Sequence, residues 1–263
     1  MEGEATGVES AADGVPRADA ARRALEQNPD WYHTIELAPG VVTPGYIDLR
    51  KAAPKVLPDD LSGKRVLDIG TFDGFWAFEM ERRGASVVTI DLARIDDAEF
   101  PPRSRAMLEQ RAREGRVELG QGFRLAAAAL GSSVERVICN VYDVTQDVIG
   151  GPVDLAFNGT TMTHLRDPVG ALERIRETLV PGGEVICLEP ISGWLSLRAP
   201  GRPAAAFRAH NTEYTWWEPN LSTIYAWLVA AEFADVRRIA VMRPKSSERR
   251  PSIYAAFSGR RPG

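Results

Sequence analysis

Between residues 64 and 190 the chain repeats one pattern, in which a short apolar run is followed by a longer segment with helical spacing of its apolar residues. Runs of this kind suit strands that are buried on both faces, and strands that alternate with helices join in a parallel sheet covered on both sides. No internal repeat of solenoid length is present. The predicted strands are 65–70, 86–91, 135–141, 153–159 and 184–190, and the predicted helices between them are 74–84, 102–114, 123–131 and 168–179.

Two more strands are predicted near the end of the chain, at 235–243 and 252–259, after a helix at 222–233. A short polar link joins these two strands, so we expect them to pair as an antiparallel hairpin. The pattern as a whole predicts an α/β fold with a Rossmann-like, seven-stranded mixed sheet. The sheet would be parallel except for the C-terminal strand hairpin, with helices on both faces.

The chain divides into three parts by composition. Residues 1–15 are small, acidic and polar, and we predict a disordered tail there. Residues 16–60 combine a short helix with a strap punctuated by proline and glycine, which suits a lid laid over a core. Residues 61–263 form the main domain, interrupted at about 191–220 by an insertion rich in proline and tryptophan.

Charge and composition limit the partners of the chain. The net charge is −4 and the isoelectric point is near 5.6, whereas a protein that binds nucleic acid usually carries a basic excess. Only four of the 32 basic residues are lysines, and this arginine surplus alone predicts no ligand.

Cys139 and Cys187 lie in apolar runs and indicate buried thiols. With no secretory signal and no apolar run long enough to span a membrane, we expect a cytoplasmic protein without a membrane partner.

The strongest local signal is the segment Asp68-Ile69-Gly70-Thr71-Phe72-Asp73-Gly74, at the end of the first strand of the pattern. Its glycines permit a tight turn into the next helix, and ligands of open α/β sheets bind beyond the carboxyl ends of the strands. The dinucleotide fingerprint G-x-G-x-x-G is absent. Asp68 and Asp73 would repel a pyrophosphate but suit a ligand with an amino group or a sulfonium.

This segment resembles the Asp/Glu-x-Gly-x-Gly-x-Gly motif of the class I S-adenosylmethionine (SAM) methyltransferases, with Phe72 at the middle glycine. The resemblance covers most of residues 60–259, including a Leu-x-Pro-Gly-Gly turn at 179–183. It implies that SAM is the cofactor and S-adenosylhomocysteine its product. By the same resemblance the Asp68–Gly70 loop would hold the methionine end, Asp91 the ribose hydroxyls and Asp143 the adenine amino group. The cofactor residues that it implies are Asp68, Gly70, Thr71, Phe72, Asp73, Gly74, Asp91, Leu92, Tyr142, Asp143 and Asn158.

A narrower resemblance involves residues 31–37, 41–45 and 164–168 and the Glu218-Pro219-Asn220 stretch. These segments are similar to the enzyme that carboxymethylates the wobble uridine of tRNA and to small-molecule methyltransferases built on the same plan. The acidic balance favours methyl transfer to a hydroxyl or amine of a small molecule, such as a secondary metabolite, and disfavours nucleic acid. A tRNA-modifying enzyme and a SAM-binding domain without catalysis remain alternatives, and a homodimer is compatible with the sequence.

A hydroxyl acceptor benefits from a base with a pKa near neutrality, which points to histidine. The chain has three, His33, His164 and His210, each of which could also be purely structural. Glu189, at the end of the fifth strand, is a further polar candidate. No carboxylate pair follows the fourth or fifth strand, so we expect no metal.

The aromatic residues of the insertion suggest a wall for an apolar or aromatic acceptor, although a dimer interface or ordinary packing would explain them too. The residues of this wall are Trp194, Tyr214, Trp216 and Trp217.

Overall fold

A computed structural model describes residues 11–28, 30–114, 118–210, 214–247 and 252–263 of the chain. Its strands are β1 (Glu36–Ala38), β2 (Val41–Val42), β3 (Ile47–Asp48), β4 (Arg65–Ile69), β5 (Ser86–Asp91), β6 (Glu135–Ile138), β7 (Val153–Gly159), β8 (Leu179–Ile191), β9 (Ala205–Phe207), β10 (Trp217–Pro219), β11 (Ala234–Met242), β12 (Lys245–Ser246) and β13 (Ile253–Arg260). Its helices are α1 (Ala11–Gln27), α2 (Ala53–Val56), α3 (Phe75–Arg82), α4 (Pro102–Arg113), α5 (Gln121–Leu130), α6 (Pro168–Thr178), α7 (Gly193–Arg198) and α8 (Leu221–Ala230).

Seven of the strands form one sheet in the order β11-β13-β8-β7-β4-β5-β6. The pairs from β8 to β6 are parallel, and β13 lies antiparallel to both β8 and β11. The predicted mixed sheet with an antiparallel C-terminal hairpin is therefore confirmed. Because β4 has β5 on one side and β7 on the other, the strand order reverses at its carboxyl end, where open α/β sheets leave a crevice for ligands.

Alternation along the strands gives the sheet two hydrophobic cores. Val66 and Leu155 point into one core with the N-terminal strap, α1, α3 and α5. Leu67 and Ala156 point into the other with α6 and α8. Both faces of the sheet are thus covered by helices, as the continuous apolar strands predict.

Helix α1 begins earlier than the sequence predicts. Residues 11–15 were expected in the disordered tail, but the helix starts at Ala11. Pro16 is the sixth residue of this helix, where proline is unfavourable, but the alanines on both sides of it favour the helix. The part of the predicted tail before Ala11 lies outside the described residues.

The predicted strap contains the β1–β2 hairpin and β3, which pairs with β12 from the link between β11 and β13. The predicted insertion contains α7 and the β9–β10 hairpin. The predicted strand at 135–141 stops at Ile138, because a 3₁₀ turn at 141–143 follows; the Asn140 side chain caps this turn by accepting a hydrogen bond from the Tyr142 N–H (3.1 Å). No helix in the described part of the chain is long and apolar enough to cross a membrane.

Candidate functional site

The loop from Gly70 to Gly74 turns β4 into α3 and depends on its two glycines. Gly70 has φ +68°, and its N–H donates to the Ile90 carbonyl at 2.9 Å. A Cβ at this position would lie 2.7 Å from the Thr161 hydroxyl oxygen. Gly74 has φ +94°, and a Cβ there would lie 2.3 Å from the Phe78 ring. Side chains are therefore excluded at both ends of the loop, which keeps its backbone accessible at the carboxyl end of β4.

Phe72, at the middle glycine of the family motif, adopts the backbone conformation that glycine would supply. Its φ is +53°, in the left-handed region, at a cost of about 1–2 kcal/mol for an L residue. Its N–H donates to Asp91 Oδ2 at 2.9 Å, and its ring makes an edge contact with Tyr32 at 5.5 Å between centroids. The backbone thus keeps the left-handed conformation at this position, although a phenylalanine stands where the family motif has glycine.

Asp68 supplies a buried negative group beneath this loop. Its side chain lies in β4 and is 1% exposed, and Oδ2 has no hydrogen-bond partner within the described residues. Burial raises the pKa of this carboxyl from 3.8 to about 7. A buried carboxylate oxygen without a partner is costly unless a ligand donates to it. The position fits the methionine ammonium of SAM, as the resemblance implies.

Asp91, at the end of β5, holds the loop from the other side. Oδ1 accepts from the Leu92 N–H at 2.7 Å, and Oδ2 accepts from the Phe72 N–H. The Arg136 guanidinium lies 3.8 Å from the same Oδ2. Burial raises the pKa of Asp91, and Arg136 opposes that rise. Each carboxylate oxygen can accept more than one hydrogen bond, so both oxygens remain able to receive ribose hydroxyls. Arg136 carried no sequence signal, because its partner lies on the neighbouring strand.

Asp73 is directed toward the N-terminal strap. Its Oδ2 accepts from the N–H groups of Tyr32 (3.0 Å) and His33 (2.8 Å), and its Oδ1 is hydrogen-bonded to His33 Nδ1. The His33 ring is buried and stacks on Phe75 with 5.6 Å between centroids. Asp73, predicted to bind the cofactor, and His33, predicted as a base, therefore form one buried pair that connects the strap to the glycine loop.

The residues after β6 lie beside a segment that sequence reasoning missed. The Tyr142 hydroxyl donates to Glu99 Oε2 at 3.0 Å and accepts from the Asp167 N–H at 3.1 Å. Burial is the main cause that raises the pKa of Tyr142 above its usual value. The predicted adenine ligand Asp143 is exposed, next to this tyrosine. Only the tertiary fold brings Glu99 from the segment between β5 and α4 to this point.

Asn158 and Glu189 form a buried polar pair at the ends of β7 and β8. The Asn158 amide donates to Glu189 Oε1 at 2.7 Å, and Glu189 also accepts from the N–H groups of Met162 (2.8 Å) and Thr163 (3.3 Å). Burial raises the pKa of Glu189 from 4.5 to about 7. Both side chains shape the turn after β7. The predicted polar candidate Glu189 thus fixes the segment that leads into His164.

His164 lies in that segment and is held by the insertion. Its Nδ1 is 2.7 Å from the Tyr214 carbonyl oxygen, and its ring makes an edge contact with Phe100 at 5.7 Å. Phe100 in turn contacts the Tyr214 ring at 5.5 Å. Burial lowers the pKa of His164 from 6.5. Because a neutral histidine that donates from Nδ1 to a carbonyl carries its lone pair on Nε2, this ring is set up to accept a proton there.

The predicted aromatic wall is only partly assembled. The indole N–H of Trp216 donates to the Glu99 carbonyl, and the indole N–H of Trp217 donates to the Leu165 carbonyl at 3.1 Å. Both indoles, together with Tyr214, therefore pack on the segments around His164. Trp194 is 64% exposed on α7, near Arg198, and has no ring contact with the other three within the described residues.

Two further observations concern the predicted chemistry. His210 is exposed in the insertion, whereas the rings of His33 and His164 contact other aromatic rings. In the described ranges no group of three or more His, Cys, Asp or Glu side chains could hold a metal ion.

Comparisons with known proteins agree with this geometry. Residues 46–237 match the family model described as a methyltransferase domain. The tRNA U34 carboxymethyltransferase of Pseudomonas savastanoi is 25% identical over 203 residues, which cover 75% of this chain and 54% of that protein. The chain thus spans about half the length of this curated relative.

Solved structures share the fold at lower identity. A SAM-dependent methyltransferase from Mesorhizobium loti has a TM-score of 0.50 at 18% identity, covering 81% of this chain and 97% of that chain. Phosphoethanolamine N-methyltransferase 2 of Haemonchus contortus, in complex with SAM, has a TM-score of 0.52 at 17% identity. The match covers 81% of this chain and 52% of that chain. With most of its length matched by the family model and a loop that fits SAM, the chain belongs to the class I SAM-dependent methyltransferases.

Proposed function

We propose that this methyltransferase acts on a hydroxyl or amine of a small-molecule acceptor, such as a secondary metabolite, and that His164 serves as the base. The observation that carries the proposal is that three segments distant in sequence are linked to one another, to the glycine loop and to His164. These segments are the N-terminal strap, helix α4 and the insertion.

Helix α4 joins the other two segments. Arg111 forms an ion pair with Asp30 of the strap at 2.8 Å. The Ser104 hydroxyl oxygen accepts from the Tyr214 N–H of the insertion at 3.2 Å. A site bordered by these linked segments suits a small acceptor, whereas an RNA loop needs an open and basic surface. The net charge of −4 agrees with the small acceptor.

The residues divide the task of methyl transfer. Bound SAM supplies an electrophilic methyl group. Asp68, the Gly70–Gly74 loop and Asp91 would hold it at the carboxyl ends of β4 and β5. His164 Nε2 would accept the acceptor's proton as the acceptor's oxygen or nitrogen takes the methyl group from sulfur, with S-adenosylhomocysteine as the leaving group. Holding the acceptor in line supplies most of the rate, and the base adds to it.

A direct test uses the full chain with isotopically labelled SAM and a panel of aromatic hydroxyl and amine acceptors. Label in a small product would support the proposal. Binding of SAM without transfer to any acceptor, RNA included, would contradict it and favour a non-catalytic SAM-binding domain.

The second candidate is a tRNA-modifying methyltransferase or carboxymethyltransferase. The similarity to the Pseudomonas savastanoi enzyme over 75% of the chain favours it. This candidate predicts that the chain binds a tRNA anticodon stem-loop, with an affinity that falls steeply as the salt concentration rises. Binding that is weak and independent of salt would exclude it.

A further inference from the structure

A small cleft opens beside the proposed base. It has a volume of about 200 Å³ and lies between helix α4 and the segment that follows His164. Phe100 lines the cleft and also makes an edge contact with the His164 ring, so the cleft and the proposed base share this neighbour. The residues that line the cleft are Phe100, Pro102, Arg105, Ala106, Glu109 and Arg166.

Two guanidinium groups line this cleft, those of Arg105 and Arg166. The Arg105 side chain donates to the Ala98 carbonyl at 2.6 Å, while its Nε is buried without a hydrogen-bond partner among the described residues. The Arg166 guanidinium carbon lies 4.9 Å from the centroid of the Trp216 indole. In the described part of the chain neither guanidinium has an acidic side chain within 4.0 Å, although other arginines such as Arg50 and Arg111 are ion-paired. This arrangement is notable in a chain with more acidic than basic residues.

The buried Nε–H of Arg105 calls for an acceptor, because a buried N–H without a partner is costly. Arginine presents a planar fork of donors that matches an oxyanion, and stacking against an aromatic ring holds the fork in place. Glu109 is the third charged residue that lines the cleft, and its Oε2 lies 3.9 Å from Arg113 Nη1. Two positive groups and one negative group leave the cleft with one net positive charge, which matches a singly charged carboxylate better than a doubly charged phosphate.

Building on the proposed function, we infer that the acceptor is a small carboxylic acid. Its carboxylate would lie between Arg105 and Arg166, and its hydroxyl or amine would be directed toward His164. The two arginines would then determine specificity by binding the end of the acceptor that does not react. A neutral analogue would lose these charge-assisted hydrogen bonds and bring no carboxylate to either guanidinium group.

The experiment compares hydroxybenzoates and aminobenzoates with their matched benzamides, which differ only in the charged group. Binding to the full chain in the presence of S-adenosylhomocysteine is measured by calorimetry, and methyl transfer is measured separately with labelled SAM. We expect acids to bind at least tenfold more tightly than their amides. Arg105→Gln and Arg166→Gln should each weaken acid binding about 10- to 100-fold and leave amide binding unchanged.

Two further variants make the test specific. Arg103→Gln removes the same charge from an exposed position of α4 that does not line the cleft, and it should leave acid binding unchanged. Glu109→Gln removes the repulsive charge and should strengthen acid binding several-fold. Arg166 is exposed, so its variant should fold even if the Arg105 variant does not.

The outcomes separate this inference from the proposed function. Equal binding of acids and amides, or an equal loss of acid binding in the Arg103 and Arg166 variants, would overturn the inference while small-molecule methylation could stand. Arginine-dependent binding of acids without methyl transfer to any acceptor would uphold the anion site and overturn the proposed function. Binding of a tRNA stem-loop that depends on Arg166, with no binding of the acids, would overturn both.

Discussion

His33 and Asp73 lie 40 positions apart in the sequence and form a buried pair in the fold: His33 Nδ1 is bound to one carboxylate oxygen, and the His33 N–H donates to the other at 2.8 Å. The Tyr32 N–H donates to the same carboxylate. One side chain of the glycine loop therefore fixes the path of the strap beside the carboxyl end of β4.

Removal of this carboxylate should loosen the strap. Asp73→Ala leaves two backbone N–H groups and a histidine ring without their acceptor, and we expect it to lower the free energy of unfolding by about 2–4 kcal/mol. Asp73→Asn retains one oxygen and should cost less than half as much. Urea denaturation measures the total effect, and amide hydrogen exchange at Tyr32 and His33 measures the local one. Unchanged exchange at these two amides in Asp73→Ala would show that the strap is held by other contacts.

Binding of SAM should depend on the protonation of Asp68. The pKa of Asp68 is about 7, above the 3.8 of an exposed aspartate, so the carboxyl is protonated at lower pH and ionises as the pH rises through 7. Only the ionised form attracts the methionine ammonium, and we expect SAM affinity to rise about tenfold or more between about pH 5.5 and 7.5.

Calorimetric titration of SAM at several pH values tests this dependence. Asp68→Asn should bind weakly at every pH and show no such rise. A flat profile in the unsubstituted chain would exclude the ammonium as the partner of Asp68.

The same raised pKa affects stability. Between pH 3.8 and about 7 an unfolded chain has lost the Asp68 proton while the folded chain retains it. The unfolded state thus binds fewer protons, and the stability of the chain without cofactor should fall as the pH rises through this range. Thermal denaturation should show a higher midpoint at about pH 5 than at about pH 7.5, with a smaller difference in Asp68→Asn. A pH dependence that Asp68→Asn leaves unaltered would assign the effect to other groups, such as Glu189.

Substitution of His164 should separate chemistry from binding. The pKa of this histidine is lowered by burial from 6.5, so the ring is neutral at pH 7 and activity should fall only when the pH drops through a value below 6.5. We expect His164→Asn to lower kcat about 100-fold or more for a hydroxyl acceptor, with unchanged affinity for SAM. His210 is exposed, and His210→Asn should leave kcat unchanged. Equal losses of kcat in both variants would argue against His164 as the base.

The sequence predicts the sheet well because each strand carries its own signal. Val185 and Ile186 of β8 belong to a continuous apolar run, and such runs are typical of strands buried on both faces. The motif around Gly70 likewise depends on local backbone geometry, which neighbouring residues reveal. Both features are encoded within a few positions of the chain.

The remaining part of the site depends on contacts between distant segments. Glu99, Arg136 and Arg105 carry no local motif, and their partners lie on other elements of the fold. Asp73 was predicted at the cofactor because it lies in the loop, but no local pattern indicates that its carboxylate faces the strap. Polar groups that act across elements become visible only when the tertiary structure pairs them.

Phe72 offers a test of how far the loop tolerates a side chain. A phenylalanine at φ +53° carries a backbone cost that glycine would avoid, but glycine also makes the unfolded chain more flexible and loses the ring contact with Tyr32. We therefore expect Phe72→Gly to change the free energy of unfolding by less than about 1 kcal/mol and to retain SAM binding. Phe72→Val should be less stable than Phe72→Gly by about 1–2 kcal/mol, because a β-branched residue is disfavoured at positive φ. Urea denaturation of the two variants gives this difference directly, and equal stabilities would mean that the loop relaxes out of the left-handed conformation when glycine is absent.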